Sequence, residues 1–69
     1  METMTLLEQA ATFGSRTARA RYDHDESRAR YERDAFRRWV RLQVGLGDIL
    51  ETEFARAYKE EYQSREKGI

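Results

Sequence analysis

The sequence contains no cysteine and no proline, and only four of its 69 residues are glycine. Without cysteine the chain has no disulfide, no thiolate metal ligand and no cysteine nucleophile. It has no apolar run near the roughly 20 residues that a membrane span needs, and no charged start followed by an apolar stretch that would indicate a signal peptide. These absences predict a cytoplasmic protein that has no membrane partner.

Groups that could perform chemistry are also scarce. The one histidine, His24, lies in an Asp-His-Asp-Glu tetrad, but metal ligands on a helix are normally three or four residues apart, and a second histidine is missing. No Gly-rich phosphate loop is present, and three short helices are expected to enclose no pocket of a few hundred Å³. We therefore expect no enzyme, no catalytic residue, no metal and no cofactor, and interpret the tetrad as a solvated helix start.

The residue pattern indicates helices and no strands, because apolar residues do not alternate and Ala, Arg, Glu and Leu are frequent. The boundaries follow from three capping boxes, in which a short oxygen side chain is followed three residues later by Glu. These boxes are Thr5 with Glu8, Asp23 with Glu26, and Asp48 with Glu51. They predict helices over residues 6–22, 24–44 and 49–67 within one domain, 1–69.

The second predicted helix has the widest apolar arc, more than half of its circumference, from Ala29 and Tyr31 to Leu42 and Val44. Such a helix is normally packed between others, and we expect Trp39, at the middle of the arc, to anchor it. Gly45-Leu46-Gly47 then predicts a helix end with a left-handed residue. Gly14 is on the apolar side of the first helix, where it either lets another helix approach closely or ends a short helix that Ser15 follows as a new cap.

Two all-α architectures fit this pattern. A small three-helix bundle requires a turn near Asp23 and Ser27. The first two apolar arcs keep the same helical phase, however, and an unbroken helix of about 40 residues would be about 60 Å long, so a long-helix hairpin that pairs with a second chain remains the alternative. In either case a core this small favours self-association, and we expect a homo-oligomer, most simply a homodimer.

Charge is balanced in total but uneven along the chain. Residues 14–45 carry nine arginines and five acidic residues, whereas both ends are mildly acidic. Four of these arginines share one side of the second helix and form a candidate anion- or partner-binding stripe: Arg30, Arg37, Arg38 and Arg41. The competing interpretation is a solvated face of pairs four residues apart, Glu26, Arg30, Asp34 and Arg38, although Arg37 and Arg41 have no acidic residue at that spacing.

Three aromatic residues are candidates for an interface, because Tyr and Trp beside Arg dominate protein contacts: Trp39, Tyr58 and Tyr62. We expect a small non-enzymatic protein-interaction module, a regulator, adaptor or inhibitor of a larger protein, of the kind that mobile elements encode. One alternative is a non-specific nucleic-acid-binding protein that uses the arginine stripe. A helix-turn-helix reader is disfavoured because the last helix is rich in acids, which repel phosphates. A second alternative is a self-assembling structural subunit.

Overall fold

The computed structural model describes residues 4–68, and within this range the chain forms three helices and no strand. The helices are α1 (Leu6–Tyr22), α2 (Glu26–Arg41) and α3 (Gly47–Lys67). This confirms the predicted all-α three-helix bundle and the predicted bounds of α1. None of the three helices is both long enough and apolar enough to cross a membrane.

The first capping box forms as predicted. The Glu8 amide donates to the Thr5 hydroxyl oxygen at 3.1 Å, and the Thr5 amide donates to the Glu8 carboxylate at 3.4 Å. Each side chain therefore satisfies an amide that has no partner inside the helix.

A tight turn separates α1 from α2, so the long-helix alternative is wrong. His24 has a φ of 61°, which no continuous right-handed helix contains. The His24 amide donates to the carbonyl of Arg21 at 3.1 Å, and the Asp25 amide donates to the carbonyl of Ala20 at 2.8 Å. This pair of bonds is the Schellman motif, with histidine at the position that glycine usually occupies. The helix axis reverses here.

The second predicted capping box, Asp23 with Glu26, names the wrong capping residue. Asp25, not Asp23, is the N-cap of α2, and its carboxylate accepts the amide of Arg28 at 3.1 Å. The helix therefore begins at Glu26 rather than at residue 24, because Asp23 and His24 are still occupied in ending α1.

The end of α2 and the start of α3 also differ from the prediction. α2 ends at Arg41 rather than at residue 44, because the Leu42 and Gln43 amides bond carbonyls only three residues back. Gly45 has a φ of 82°, which confirms the predicted left-handed residue. α3 begins at Gly47 rather than at residue 49, with Leu46 as an N-cap that makes no side-chain bond. The Asp48 and Glu51 box is therefore wrong, since Asp48 is already inside the first turn.

Packing centres on α1, which contacts both other helices, whereas α2 and α3 contact each other little. Gly14 is buried in the middle of α1 and faces the backbone of α3, where a Cβ atom would overlap the Phe54 carbonyl oxygen. The prediction of a close helix approach at Gly14 is confirmed, and the alternative of a helix end with a Ser15 cap is wrong.

The core is small. Its fully packed cluster consists of Ala10, Phe36, Leu50 and Phe54, and partly buried side chains surround it: Phe13, Trp39, Val40, Leu46 and Tyr58. The predicted wide apolar arc of α2 is wrong at its edges. Tyr31 is 65% exposed, and Leu42 and Val44 are exposed beyond the helix end. Glu32, with 7% exposure, lies instead on the buried side of α2 with Ala29 and Phe36.

Candidate functional site

An open groove of about 340 Å³ runs between α2 and α3. It exists because both helices pack on α1 and little on each other. Its lining consists of Arg33, Phe36, Arg37, Glu51, Phe54, Ala55 and Tyr58, and these seven residues define the groove below. The groove is open to solvent along its length rather than an enclosed pocket of the kind that the sequence argued against.

The floor of the groove is aromatic. The Phe36 and Phe54 rings stack with centroids 4.4 Å apart, and Tyr58 stacks on Phe54 at 6.4 Å. The row continues through Tyr62, at 6.2 Å from Tyr58, to Tyr22 of α1, at 5.7 Å from Tyr62. Offset-stacked and edge-to-face pairs of this kind add to the packing between helices, so the floor is a continuous row of aromatic rings.

The two rims of the groove carry opposite charges. Arg33 and Arg37 stand on the α2 side and Glu51 stands on the α3 side. All three residues are exposed, and between residues 4 and 68 no ion pair involves any of them. The groove thus has an apolar floor between a cationic and an anionic edge.

All of the ion pairs in the described part of the chain lie within α3, where Arg56 pairs with Glu53 and Glu60, and Arg65 pairs with Glu61. The pairing expected along α2, through Glu26, Arg30, Asp34 and Arg38, does not form. The arginines of α2 consequently point unpaired into solvent, available to an outside anion.

The structure separates the predicted site residues. Arg37 and Tyr58 both line the groove. Arg30, Arg38 and Arg41 are exposed and do not line the groove. At about 100° per residue, Arg30 and Arg41 lie on nearly the same face of α2 as Arg37, whereas Arg38 is turned by about 100°. Two of the aromatics lie away from the groove, so the seven candidates do not form one site.

Trp39 and Tyr62 belong to the packing of the helices. Trp39 is half-buried against α1, with its ring 5.6 Å from that of Phe13 and 6.1 Å from that of Phe36. Tyr62 contacts Tyr22, whose hydroxyl donates to the Arg65 carbonyl at 3.3 Å. These two aromatics fasten α1 to its neighbours.

Sequence reasoning missed Arg33, Glu51 and Ala55. A usable signal existed for each helix separately: Arg33 precedes Arg37 by four residues, and Glu51, Ala55 and Tyr58 follow one another at four and three, so each set shares a face. Nothing in the sequence indicates that these two faces border one groove.

A second exposed surface lies at one end of the bundle, where α1 begins, α2 ends and α3 begins. Aliphatic side chains there are unusually open: Val44 is 92% exposed, Leu42 75%, Ile49 57% and Leu7 47%. Leu7 and Ile49 line one shallow cavity together. We call these four residues the apolar end. Contiguous exposed apolar patches mark contact surfaces, whereas single exposed apolar side chains are ordinary; of the four, Leu7 and Ile49 share a cavity.

Residues 4–68 contain no group of three His, Asp or Glu side chains arranged to hold a metal ion. His24 is exposed in the turn between α1 and α2, away from the groove. The groove exposes Ala55 and part of Tyr58 between Arg33, Arg37 and Glu51, and the apolar end exposes four aliphatic side chains. The chain matches no protein-family model, no curated protein and no solved structure.

Proposed function

We propose that this protein is a small non-enzymatic interaction module that regulates or inhibits a larger protein in the cytoplasm by occupying part of its surface. The observation that carries the proposal is the position of Leu42 and Val44, both largely exposed, directly after Arg38 and Arg41, which are exposed and make no ion pair within residues 4–68. Protein interfaces typically combine an apolar centre with polar and Arg-rich surroundings. The partner surface would carry an apolar patch bordered by carboxylates.

Non-specific nucleic-acid binding remains a second candidate, because the α2 arginines make no ion pair in residues 4–68. Phosphate binding uses cations alone and gains nothing from exposed aliphatic side chains. The apolar end therefore favours a protein partner, and it also provides the means to separate the two functions.

The experiment is capture from lysate of the source cell on the immobilised chain, with and without nuclease. Two paired variants are compared with the parent: Leu42→Ser with Val44→Ser, and Arg38→Gln with Arg41→Gln. The matched control is Arg16→Gln with Arg19→Gln, which removes two exposed charges from α1. We expect one protein, identified by mass spectrometry, to resist nuclease, to persist with the control, and to be lost with both test pairs.

Other outcomes contradict the proposal. Capture that disappears with nuclease and is insensitive to the serine pair supports nucleic-acid binding. In that case, the binding constant of the purified protein for mixed-sequence DNA should depend less steeply on salt in the Arg38→Gln, Arg41→Gln variant. The slope of its logarithm against the logarithm of salt concentration should fall by nearly two, as two lost phosphate contacts require. A protein captured equally by the parent and the serine pair would show that the apolar end is not the contact surface.

A further inference from the structure

We propose that a second copy of this chain closes the α2–α3 groove, forming a twofold-symmetric dimer in which α2 of each copy packs against α3 of the other. This goes beyond the proposed function, because the groove and the apolar end are different surfaces. The size of the core, the charges of the two rims and the dimensions of the face all favour this dimer.

The isolated chain buries few large side chains. Of the eight apolar residues that are fully packed, five are alanines, and the larger ones are Phe36, Leu50 and Phe54. Two of those three, Phe36 and Phe54, also line the groove but are only 4% and 8% exposed; its accessible apolar lining is Ala55, which is exposed, and Tyr58, which is half-buried. A domain of this size rarely stabilises itself with so small a core, and oligomerisation is a common remedy. Covering the groove would add Ala55 and the rest of Tyr58 to the buried apolar surface.

The charges favour a copy of the same chain as the occupant. In a twofold interface the same patch faces itself, so a patch with oppositely charged rims complements its own copy when each rim faces the opposite rim of the partner. Here one rim is cationic, with Arg33 and Arg37, and the other carries Glu51. A self-complementary patch of this kind needs no acidic partner from another protein.

The same charges select the direction of the symmetry axis. A twofold axis that lies in the plane of the interface and perpendicular to the helices would place α2 of one copy against α2 of the other. Arg33 and Arg37 of the two copies would then face one another. An axis parallel to the helices brings α2 onto α3 and leaves each residue at its own height along the bundle. Like charges facing across an interface cost affinity, so the parallel axis is the favourable one.

The heights of the rim residues agree with that axis. The Phe36–Phe54 stack places these two residues at one level, and α2 and α3 run in opposite directions. Arg37 is one residue beyond Phe36 and Glu51 is three residues before Phe54, so both lie on the same side of the stack. At about 1.5 Å per residue they differ by about 3 Å in height, which an arginine side chain can span.

The face is also large enough. The bundle measures 38 × 26 × 23 Å, so its long side can offer the roughly 800 Å² per partner that stable interfaces bury. The ends of the bundle are smaller. Because the axis is parallel to the helices, the two apolar ends of the dimer would point in one direction and present a doubled surface to a partner.

The test is the mass of the purified chain, measured by light scattering and sedimentation over a range of concentrations. We expect twice the chain mass of 8.2 kDa. Arg37→Glu makes both rims of the groove acidic at this level, and Glu51→Arg makes both basic. Each variant alone should be monomeric, with a dissociation constant raised more than about tenfold, whereas an equimolar mixture of the two should form a heterodimer. Arg38→Glu, the same reversal on the adjacent but outward-facing residue, should leave the dimer intact.

Circular dichroism of each variant verifies that the helices are retained. A parent that stays at the mass of one chain at every concentration overturns the proposal. The proposal is also overturned if Arg37→Glu or Glu51→Arg alone stays dimeric, or if the equimolar mixture of the two forms no heterodimer. If the parent is monomeric and Ala55→Arg, at the centre of the groove, abolishes capture of a cellular protein, then a helix of that protein occupies the groove instead.

Discussion

Gly14 of α1 lies so close to Phe54 of α3 that a Cβ atom on Gly14 would overlap the Phe54 carbonyl oxygen. The obstacle is backbone, which cannot turn aside as a side chain can. This contact sets how near α1 and α3 lie at the middle of the bundle.

Gly14→Ala should therefore destabilise the protein, by about 1–3 kcal/mol as in other overpacked cores, although alanine is the better helix former by about 1 kcal/mol. The control is Gly47→Ala, whose Cβ would meet only the Val40 Cγ1 at 3.9 Å, an ordinary contact. Chemical denaturation followed by circular dichroism measures both. Equal stability of Gly14→Ala and the parent would mean that the two helices separate without cost.

The turn between α1 and α2 contains a second position with a local cost. His24 adopts a φ of 61°, a region that costs a side-chain-bearing residue roughly 1–2 kcal/mol and costs glycine little. His24→Gly is expected to raise the free energy of unfolding by about 1 kcal/mol, since the turn already has the bonds of a glycine-ended helix.

His24→Ala is the control for that change. It removes the imidazole but keeps the Cβ atom, so it should give no gain. If alanine stabilises the protein as much as glycine does, the imidazole itself is unfavourable and the backbone explanation is wrong.

The sequence correctly predicted those helix boundaries and turns that depend only on neighbouring residues. The Thr5 and Glu8 box defines the start of α1, and Gly45 marks the left-handed residue after α2, because both depend only on neighbouring residues. At Leu42 and Val44 the apolar phase continues past the true helix end, so periodicity placed the boundary three residues too late. At Asp48 a suitable capping residue exists, but the chain enters α3 earlier and leaves the side chain unused.

The groove could not be predicted in the same way. Its two rims belong to α2 and α3, which both pack on α1 and contact each other little, so their separation depends on how each of them packs on α1. The residues on each rim could be assigned to a helix face by spacing. Their assembly into one surface is a tertiary property, and for that reason Arg33, Glu51 and Ala55 were missed.

The position of Trp39 was predicted in part from the sequence, and its degree of burial depends on tertiary packing. The sequence placed it at the centre of an apolar arc, and the structure shows it half-buried against Phe13 and Phe36, on the α1 side of α2. A fully buried aromatic residue costs about 3–5 kcal/mol when replaced by alanine, and we expect that cost for Phe36→Ala, since Phe36 is 4% exposed. Trp39→Ala should cost less, about 2 kcal/mol, because part of the indole already contacts water.

Thermal and denaturant unfolding of the two alanine variants, with Trp39→Phe as the control that retains an aromatic ring against Phe13, tests this order. Trp39→Phe should keep most of the parent's stability, since aromatic contact within the α1–α2 packing is preserved. If Trp39→Ala unfolds like the parent while Phe36→Ala does not, then the indole contributes nothing to folding. Trp39 would then be better interpreted as an interface residue. The contact surface would lie on the α1 side of α2, away from the groove.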